Sequence, residues 1–541
     1  MNEQANSRRV GFGRYAFDLA TTRLWADGNE IKLTPKAAAV LAALIEHAGR
    51  PVSKRELFAS VWRNTIVGDD ALSTCIQELR KALGDDARQP RYIETRHRLG
   101  YRFIAQLSTD SGPPHAVIAV LPFVDMSAAR DQDFFCEGLA EELINALTYV
   151  DGLRVVSRSA SFQFKAAGLD VQDIGRRLGI TALLEGSVRK AGDLLRITVQ
   201  LIDVASGYHI WSQRFERRLG DVFAIQDEIA ESVARTMRGT ALSGRERSAV
   251  QRQQTATDAY EYFLRGRQSL HRMREPDLER SRGMFALALE IDPDYAPAWA
   301  GLATVHCLLY EWWGASDEDL RRAEEASERA MHLSPSLADA HVARGFALSL
   351  HRRYEAAERH FESAIAINPN LFDAYYYFGR ACFARGDVAR SADLFGKAGQ
   401  VRQEDFQSLV LQAQSLRIVG RADEARTINR EGIARAERVL RLNPADGRAL
   451  SLCSLALFED GQIARAMEWS RRSLELYPDD MSTLVNAACL SSRIGDKEAA
   501  IQHLERAFSR GWGKRDWIEH DPDYDLLRDD PRFQRLLEKL Q

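Results

Sequence analysis

Ser73, Thr74, Gln77, Arg80 and Lys81 recur along one short segment whose apolar residues are Leu72, Ile76, Leu79 and Leu83. The apolar set falls at i, i+4, i+7 and i+11, the spacing of one buried helical stripe. The polar set then lies on the opposite face. Hydroxyl, amide, guanidinium and ammonium groups presented by one helix face can meet base edges and phosphates in a major groove. Arg88, Arg91, Arg96, Arg98 and Arg102 follow, with Glu94 among them. That density of cations suits neutralisation of a phosphate backbone.

The flanking residues say how such a helix would be held. Ser53, Lys54, Arg55 and Glu56 have the S-x-x-E spacing, in which hydroxyl and carboxylate satisfy each other's backbone amides. This predicts a helix running to about Trp62, a turn over residues 63–68, and a second helix that Asp69 can cap. Gly84 sits where a left-handed C-terminal residue is wanted. Residues 92–95 and 101–103 read as strands, with His97 to Gly100 near the bend. A basic hairpin beside a polar-faced helix is the make-up of a winged helix. A helical subdomain with a solvated charged face would share the charges, but not cap, stripe, polar face and hairpin in this order.

Leu79 to Leu83 (Leu-Arg-Lys-Ala-Leu), Pro90 to Thr95 (Pro-Arg-Tyr-Ile-Glu-Thr) and Gly100 to Phe103 (Gly-Tyr-Arg-Phe) carry a family resemblance. Residues 31–103 resemble the OmpR/PhoB-type winged-helix domain. The form without a receiver domain occurs in ToxR- and CadC-like regulators. The likeness extends over residues 11–105 and implies an antiparallel sheet ahead of three helices. Residues 12–33 fit: Tyr15 and Phe17 alternate with polar residues, and Ala26 to Asn29 make a hairpin turn. The family often places an arginine at the wing tip for the minor groove. Here that position is His97, flanked by Arg96 and Arg98. The expected contacts are Ser73, Thr74 and Gln77 at base edges, Lys81 beside them, and Arg96, His97 and Arg98 at the wing, the two arginines acting mainly through charge. Arg80 would read a guanine or hold a phosphate. The implied partner is double-stranded promoter DNA, with RNA polymerase as a further candidate.

The 541 residues exceed one domain, and 45% hydrophobic content can bury several cores. The net charge of −4 hides an asymmetry. Residues 1–107 carry 17 basic and 12 acidic side chains, a balance of +5, which leaves −9 for the remainder. A basic module on an acidic body suits DNA binding by one end. Six cysteines lie scattered without metal-ligand spacing, which fits a reducing cytoplasm. Residues 1–9 lack an apolar signal core. The longest apolar runs, residues 37–45 and 116–124, fall far short of the roughly 20 that span a bilayer. The linker over residues 108–114 is rich in Ser, Pro and Gly. A soluble protein without a membrane partner is expected.

Residues 116–240 read as a small α/β domain. The expected elements are a buried strand over residues 117–124, a helix carrying Phe135, Leu139, Leu143 and Leu147, a short strand over 153–156, a helix over 171–178, strands over 181–190, 194–204 and 208–216, and a helix over 221–237. Residues 118–123 (Ile-Ala-Val-Leu-Pro-Phe), 185–188 (Glu-Gly-Ser-Val) and Ile210-Trp211 resemble TolB-N-like domains of bacterial signalling proteins. After a linker over residues 241–257, the chain turns repetitive. Pro335 and Pro369 are 34 residues apart, as are Pro444 and Pro478, the tetratricopeptide period. Gly345, Ala357, Phe361 and Ala364 sit where paired helices need small and large contacts. About seven helix pairs over residues 258–513 precede a capping segment at 514–541. The fold class is therefore multidomain: a winged helix-turn-helix (α+β), a small α/β domain, then an all-α tetratricopeptide solenoid. By resemblance, Val342, Phe346, Tyr376, Arg380 and Phe383 should face the groove, where a protein or peptide partner, or the chain's own α/β domain, would bind.

Catalytic signals are weak. Walker A, G-x-G-x-x-G, H-E-x-x-H and G-x-S-x-G patterns are absent. Ser187 and Lys190 match S-x-x-K on an expected strand, without companion motifs. His351 and His360 are off helical metal spacing. Trp299, Trp312 and Trp313 suit repeat packing. Asp125, Asp131 and Asp133 lack the other marks of a phosphoacceptor. No cofactor, metal or catalytic residue is expected. The domain order resembles HilA-type regulators and implies a sequence-specific regulator that is not an enzyme. A repeat scaffold whose winged helix contacts protein is the alternative. A cyclase-related enzyme is the third reading, because similar tails follow cyclase domains; such a domain is missing here.

Overall fold

The computed structural model describes residues 9–539, apart from 13–14, 20, 27–28, 63–67, 87–89, 97–98, 106–115, 165–169, 193, 251–252, 272, 314–315, 511–517 and 519–520. The chain divides into two compact units, Met1–Ala116 and Val117–Gln541.

In the first unit, β1 (Arg9–Phe12), β2 (Tyr15–Asp18), β3 (Arg23–Ala26) and β4 (Asn29–Ile31) form an antiparallel sheet in that order. Then come α1 (Pro35–Glu46), β5 (Pro51–Val52), α2 (Lys54–Val61), α3 (Asp69–Leu83), β6 (Ile93–Arg96) and β7 (Gly100–Phe103). A second sheet has the order β5-β7-β6. Phe12, Phe17 and Leu24 from the first sheet bury against Leu41 and Leu44 of α1, Leu57 of α2, the α3 stripe and Phe103. Phe12 and Phe103 meet edge to face at 4.9 Å, which anchors the hairpin to the N-terminal sheet. Parts of the expected turns over residues 26–29 and 63–68 lie outside the described residues.

The second unit begins within β8 (Ala116–Val120), which β9 (Val124–Asp125) follows. One strand was expected over residues 117–124. The strand is interrupted after Val120: Leu121 N still donates to Leu184 O at 2.9 Å, and Pro122, which has no N–H, follows. Next are α4 (Asp133–Thr148), β10 (Leu153–Val155), α5 (Arg158–Phe162), α6 (Val171–Leu178), β11 (Ala182–Ala191), β12 (Leu194–Asp203), β13 (His209–Arg218) and α7 (Val222–Arg238). The sheet order is β10-β8-β11-β12-β13, with β9 beside β11. β8 pairs with β11 in parallel, whereas β11, β12 and β13 form an antiparallel meander.

Residues 241–257, expected as a linker, contain α8 (Gly244–Val250). Glu246 holds it: the carboxylate accepts from Arg238 Nη1 at 2.5 Å and from Asp151 N at 2.9 Å. Burial would raise the Glu246 pKa, but bonds from Arg238, Ser243 and Asp151 bring it down to about 2.

The repeats follow as α9 (Thr257–Leu270), α10 (Glu275–Ile291), α11 (Ala296–Trp312), α12 (Asp317–Leu333), α13 (Ala338–Leu350), α14 (Tyr354–Ile367), α15 (Phe372–Arg385), α16 (Val388–Val401), α17 (Gln407–Ile418), α18 (Ala422–Leu442), α19 (Gly447–Glu459), α20 (Ile463–Leu476), α21 (Met481–Ile494) and α22 (Lys497–Ser509). Among the described residues these are seven successive helix pairs, as expected. A Cβ on Gly345 would press into the Phe361 ring, and one on Gly379 into Phe395, the equivalent pair 34 residues on. Glycine thus lets one helix close on the phenylalanine of its partner. A 3-10 turn (Pro522–Leu527) and α23 (Pro531–Leu537) bury Tyr524, Leu527 and Phe533 against Leu484, Ile501 and Leu504 at the solenoid's end.

Candidate nucleic-acid interface

Leu72, Ile76, Leu79 and Leu83 of α3 are each at most 2% exposed. Cys75 joins this buried face. On the other side Thr74, Gln77 and Lys81 are exposed, and Ser73 and Arg80 are half-buried. α3 begins one residue earlier than expected: Gly68 is the N-cap and Asp69 the first helical residue. Gly84 closes the helix with φ +57°, in the left-handed region. The Thr74 hydroxyl donates to Asp70 O at 2.8 Å, which fixes its rotamer and leaves oxygen lone pairs to accept.

Two residues that sequence reasoning passed over aim this helix. Glu78 accepts from Thr34 N at 2.7 Å and from the Thr34 hydroxyl at 2.8 Å, tying α3 to the start of α1. Asp85 accepts from Arg91 N at 2.7 Å and Ile93 N at 2.8 Å, which locks the entry to the hairpin. α2 is held by the predicted capping box: Ser53 N donates to Glu56 at 2.7 Å and Glu56 N to the Ser53 hydroxyl at 3.2 Å. The Glu56 carboxyl accordingly lies below its ordinary pKa, chiefly through the bond from Ser53 N.

Arg80, expected at a guanine or phosphate, is engaged within the unit. Its Nη2 donates to Ile93 O at 3.0 Å and to the Thr95 hydroxyl at 2.9 Å, bolting α3 to β6. The wing cations are also partly compensated. Glu94 accepts from Arg102 Nε at 2.8 Å and pairs with Arg96 Nε at 3.1 Å. In the β6–β7 register Arg96 faces Gly100. His97 and Arg98 lie outside the described residues. Gly100 has φ +114°, and a Cβ there would collide with the Val52 carbonyl, so only glycine lets β7 close against β5. The resulting surface offers a hydroxyl, a carboxamide able to bond adenine bidentately, and an ammonium point charge.

Residues 28–103 match the family described as "Transcriptional regulatory protein, C terminal". They are an OmpR/PhoB-type winged-helix domain. Residues 114–232 match "HilA/YgeH-like transcriptional regulator, second domain", so the winged helix is followed by a HilA-like domain. Transcriptional regulator HilA of Salmonella typhi is 24% identical over 369 residues, 66% of this chain and 64% of that protein. Putative adenylate cyclase 3 of Rhizobium meliloti (strain 1021) is 35% identical over 248 residues, 46% of this chain and 42% of that protein. The chain thus spans less than two thirds of either relative's length. Among solved structures, the DNA-binding domain of E. coli CadC is 28% identical, covering 19% of this chain and 98% of that one at a TM-score of 0.18. Among the described residues, no helix is long and apolar enough to cross a membrane.

The second candidate surface lies in the repeats. A cavity of about 1320 Å³ is lined jointly by the HilA-like domain and the solenoid, with Val342 and Tyr376 in its wall. Another, of about 670 Å³, is lined by Tyr376 and Arg380. Arg380 pairs with Glu311 at 2.7 Å and lies 5.1 Å from the Trp312 ring. Phe346 and Phe383, expected in the groove, line neither cavity. Phe346 stacks on Tyr377 of the next repeat at 4.3 Å and so joins two repeats, and Phe383 is buried.

The HilA-like domain docks on the solenoid through α4 and α9. Glu141 accepts from Arg267 Nε at 2.8 Å and meets His271 Nε2 at 2.7 Å, while Arg158 Nε pairs with it at 3.2 Å. Burial would raise the Glu141 pKa; Arg267, His271 and Arg158 instead hold it well below the usual carboxylate range. Farther along, Asn370 Nδ2 donates to Thr148 O at 2.9 Å. Pairs so distant in sequence leave no local signal.

Among the described residues, one group has the donor atoms for a cation: Cys489, Asp521 and Asp523, all buried, whose ligand atoms lie within 4.8 Å of one another. Arg493 already pairs with Asp523 at 2.9 Å and Arg417 at 3.3 Å, which satisfies that carboxylate without an ion.

Proposed function

We propose that this chain is a sequence-specific regulator of transcription that binds promoter DNA through its OmpR/PhoB-type domain and acts in the cytoplasm without an enzymatic activity of its own. The observation that carries this reading is the two-sidedness of α3: four apolar residues fully buried, Thr74, Gln77 and Lys81 presented outward. Gln77, Thr74 and Ser73 read base edges, and Lys81 holds phosphate. Arg96, His97 and Arg98 serve the wing, where Glu94 reduces the free charge of Arg96. Arg80 acts at one remove, by fixing the angle between helix and wing. The HilA-like domain and the repeats are the receiving end. Their shared cavity takes a signal or a protein partner, with RNA polymerase a candidate; Val342 and Tyr376 in its wall, and Arg380 in the neighbouring cavity that Tyr376 also lines, are the residues to vary first.

The matches support a regulator over a cyclase: both matched families are described as regulators, and the putative cyclase aligns over less than half of either chain. The test is enrichment of duplexes from a random pool by the full chain, with binding of the winners measured against salt. A shared motif and a steep salt slope are expected. Salt-insensitive binding, or none, would favour the scaffold reading.

A further inference from the structure

The HilA-like sheet ends in an unusual edge. β13 runs for ten residues, and β12 is the one strand hydrogen-bonded to it among the described residues. Its register irregularity is confined to the first turns of the ladder, between Leu201 and Ile202 of β12; from Trp211 to Arg218 the pairing is regular. A long regular edge presents a row of free backbone donors and acceptors, and proteins commonly cover or interrupt such rows.

The side chains specify what would cover this one. Phe215 is buried on the inner face, while Ser212, Arg214, Glu216 and Arg218 are exposed on the outer face. The geometry points to a second copy of this chain, joined antiparallel along β13 about a two-fold axis through Phe215. In that register Arg214 of each copy stands opposite Glu216 of the other, twice per interface. Gln213 meets Arg217 and Ser212 meets Arg218. Neighbouring registers are worse. An axis through Arg214 sets that arginine against itself. An axis through Glu216 opposes the two glutamates and sets Arg214 against Arg218. A one-residue slip would mismatch the inner and outer faces. Within one copy Glu216 already lies 2.8 Å from Arg196 and 3.7 Å from Arg214, so a second copy's Arg214 would complete a ladder of alternating charge across the joined sheets.

The test is a charge swap read by sedimentation equilibrium of the full chain. Wild type should dimerise. Arg214→Glu places two carboxylates opposite each other at both contacts, and Glu216→Arg places two guanidiniums there. Each variant alone should self-associate about tenfold more weakly or worse. An equimolar mixture of the two should recover the dimer, because in the mixed pair both contacts are again opposite in sign. Recovery by mixing also shows that both variants are folded. A monomeric wild type, a dimer that survives both substitutions, or variants that fail to rescue each other would each overturn the assignment.

Discussion

The winged-helix unit and the junction of the HilA-like domain with the solenoid use the same chemical groups to opposite ends. On α3, Thr74, Gln77 and Lys81 stand exposed at the rim of an apolar core. At the junction, Glu141 is only 5% exposed and is surrounded by Arg267, Arg158 and His271. A surface that reads another molecule must keep its polar groups cheap to desolvate. A junction that fixes two domains can bury them, because each charge arrives with its partner. Buried ion pairs add little net stability, but removing one member is severe, since its partners remain charged and dry.

That difference sets the scale of the expected effects. Glu141→Ala should be the most damaging change, destabilising the second unit by about 3–5 kcal/mol in urea unfolding, whereas the winged-helix unit unfolds as before. Arg80→Ala comes next. It removes a charged donor from Ile93 O and the Thr95 hydroxyl and should loosen helix from wing by about 1.5–3 kcal/mol. Because the angle between them changes, affinity should fall for all sequences alike, measured as titration on specific and scrambled duplexes.

A third expectation concerns pH at the solenoid's end. Burial and the neighbouring Asp523 raise the Asp521 carboxyl to about 7. A group raised in the folded state stabilises fully below its unfolded pKa of about 3.9 and loses that contribution as pH rises through the folded value. Thermal stability should therefore decline from about pH 4 toward pH 7, and Asp521→Asn should flatten the decline. A decline that persists in Asp521→Asn would place its origin elsewhere. The smallest effect should be at the wing. Since Glu94 already pairs with Arg96, Arg96→Ala should change the salt slope by less than about one unit, where a free phosphate contact would change it by about one.

Much of the first unit was legible because its determinants are local. The capping box at Ser53 and Glu56, the α3 stripe and the left-handed Gly84 all act within a few residues of themselves. The repeats were legible for a related reason: Gly345 with Phe361 and Gly379 with Phe395 recur at one period. What stayed hidden depends on residues far apart in sequence. Arg80 looked like a reading group until the structure placed Ile93 O within its reach. Phe346 and Phe383 have the right phase for the groove within their own helices, yet Phe346 stacks on Tyr377 of the next repeat and Phe383 is buried outside both cavities. α8 lay unseen in a presumed linker, since Arg238 and Asp151 supply what orders Glu246. Pro122 is itself a local signal of the interruption, since a residue without an N–H breaks a strand that its apolar neighbours would otherwise extend.

The most direct measurement is the base preference of the full chain, selected from random duplexes, for wild type beside Gln77→Ala. Wild type should enrich one motif. Gln77→Ala should retain that motif but relax a single position, with a loss there of about 1–3 kcal/mol and an unchanged salt slope. An identical motif and affinity for both proteins would mean that the exposed face of α3 does not read DNA, and the assignment of that helix would fall.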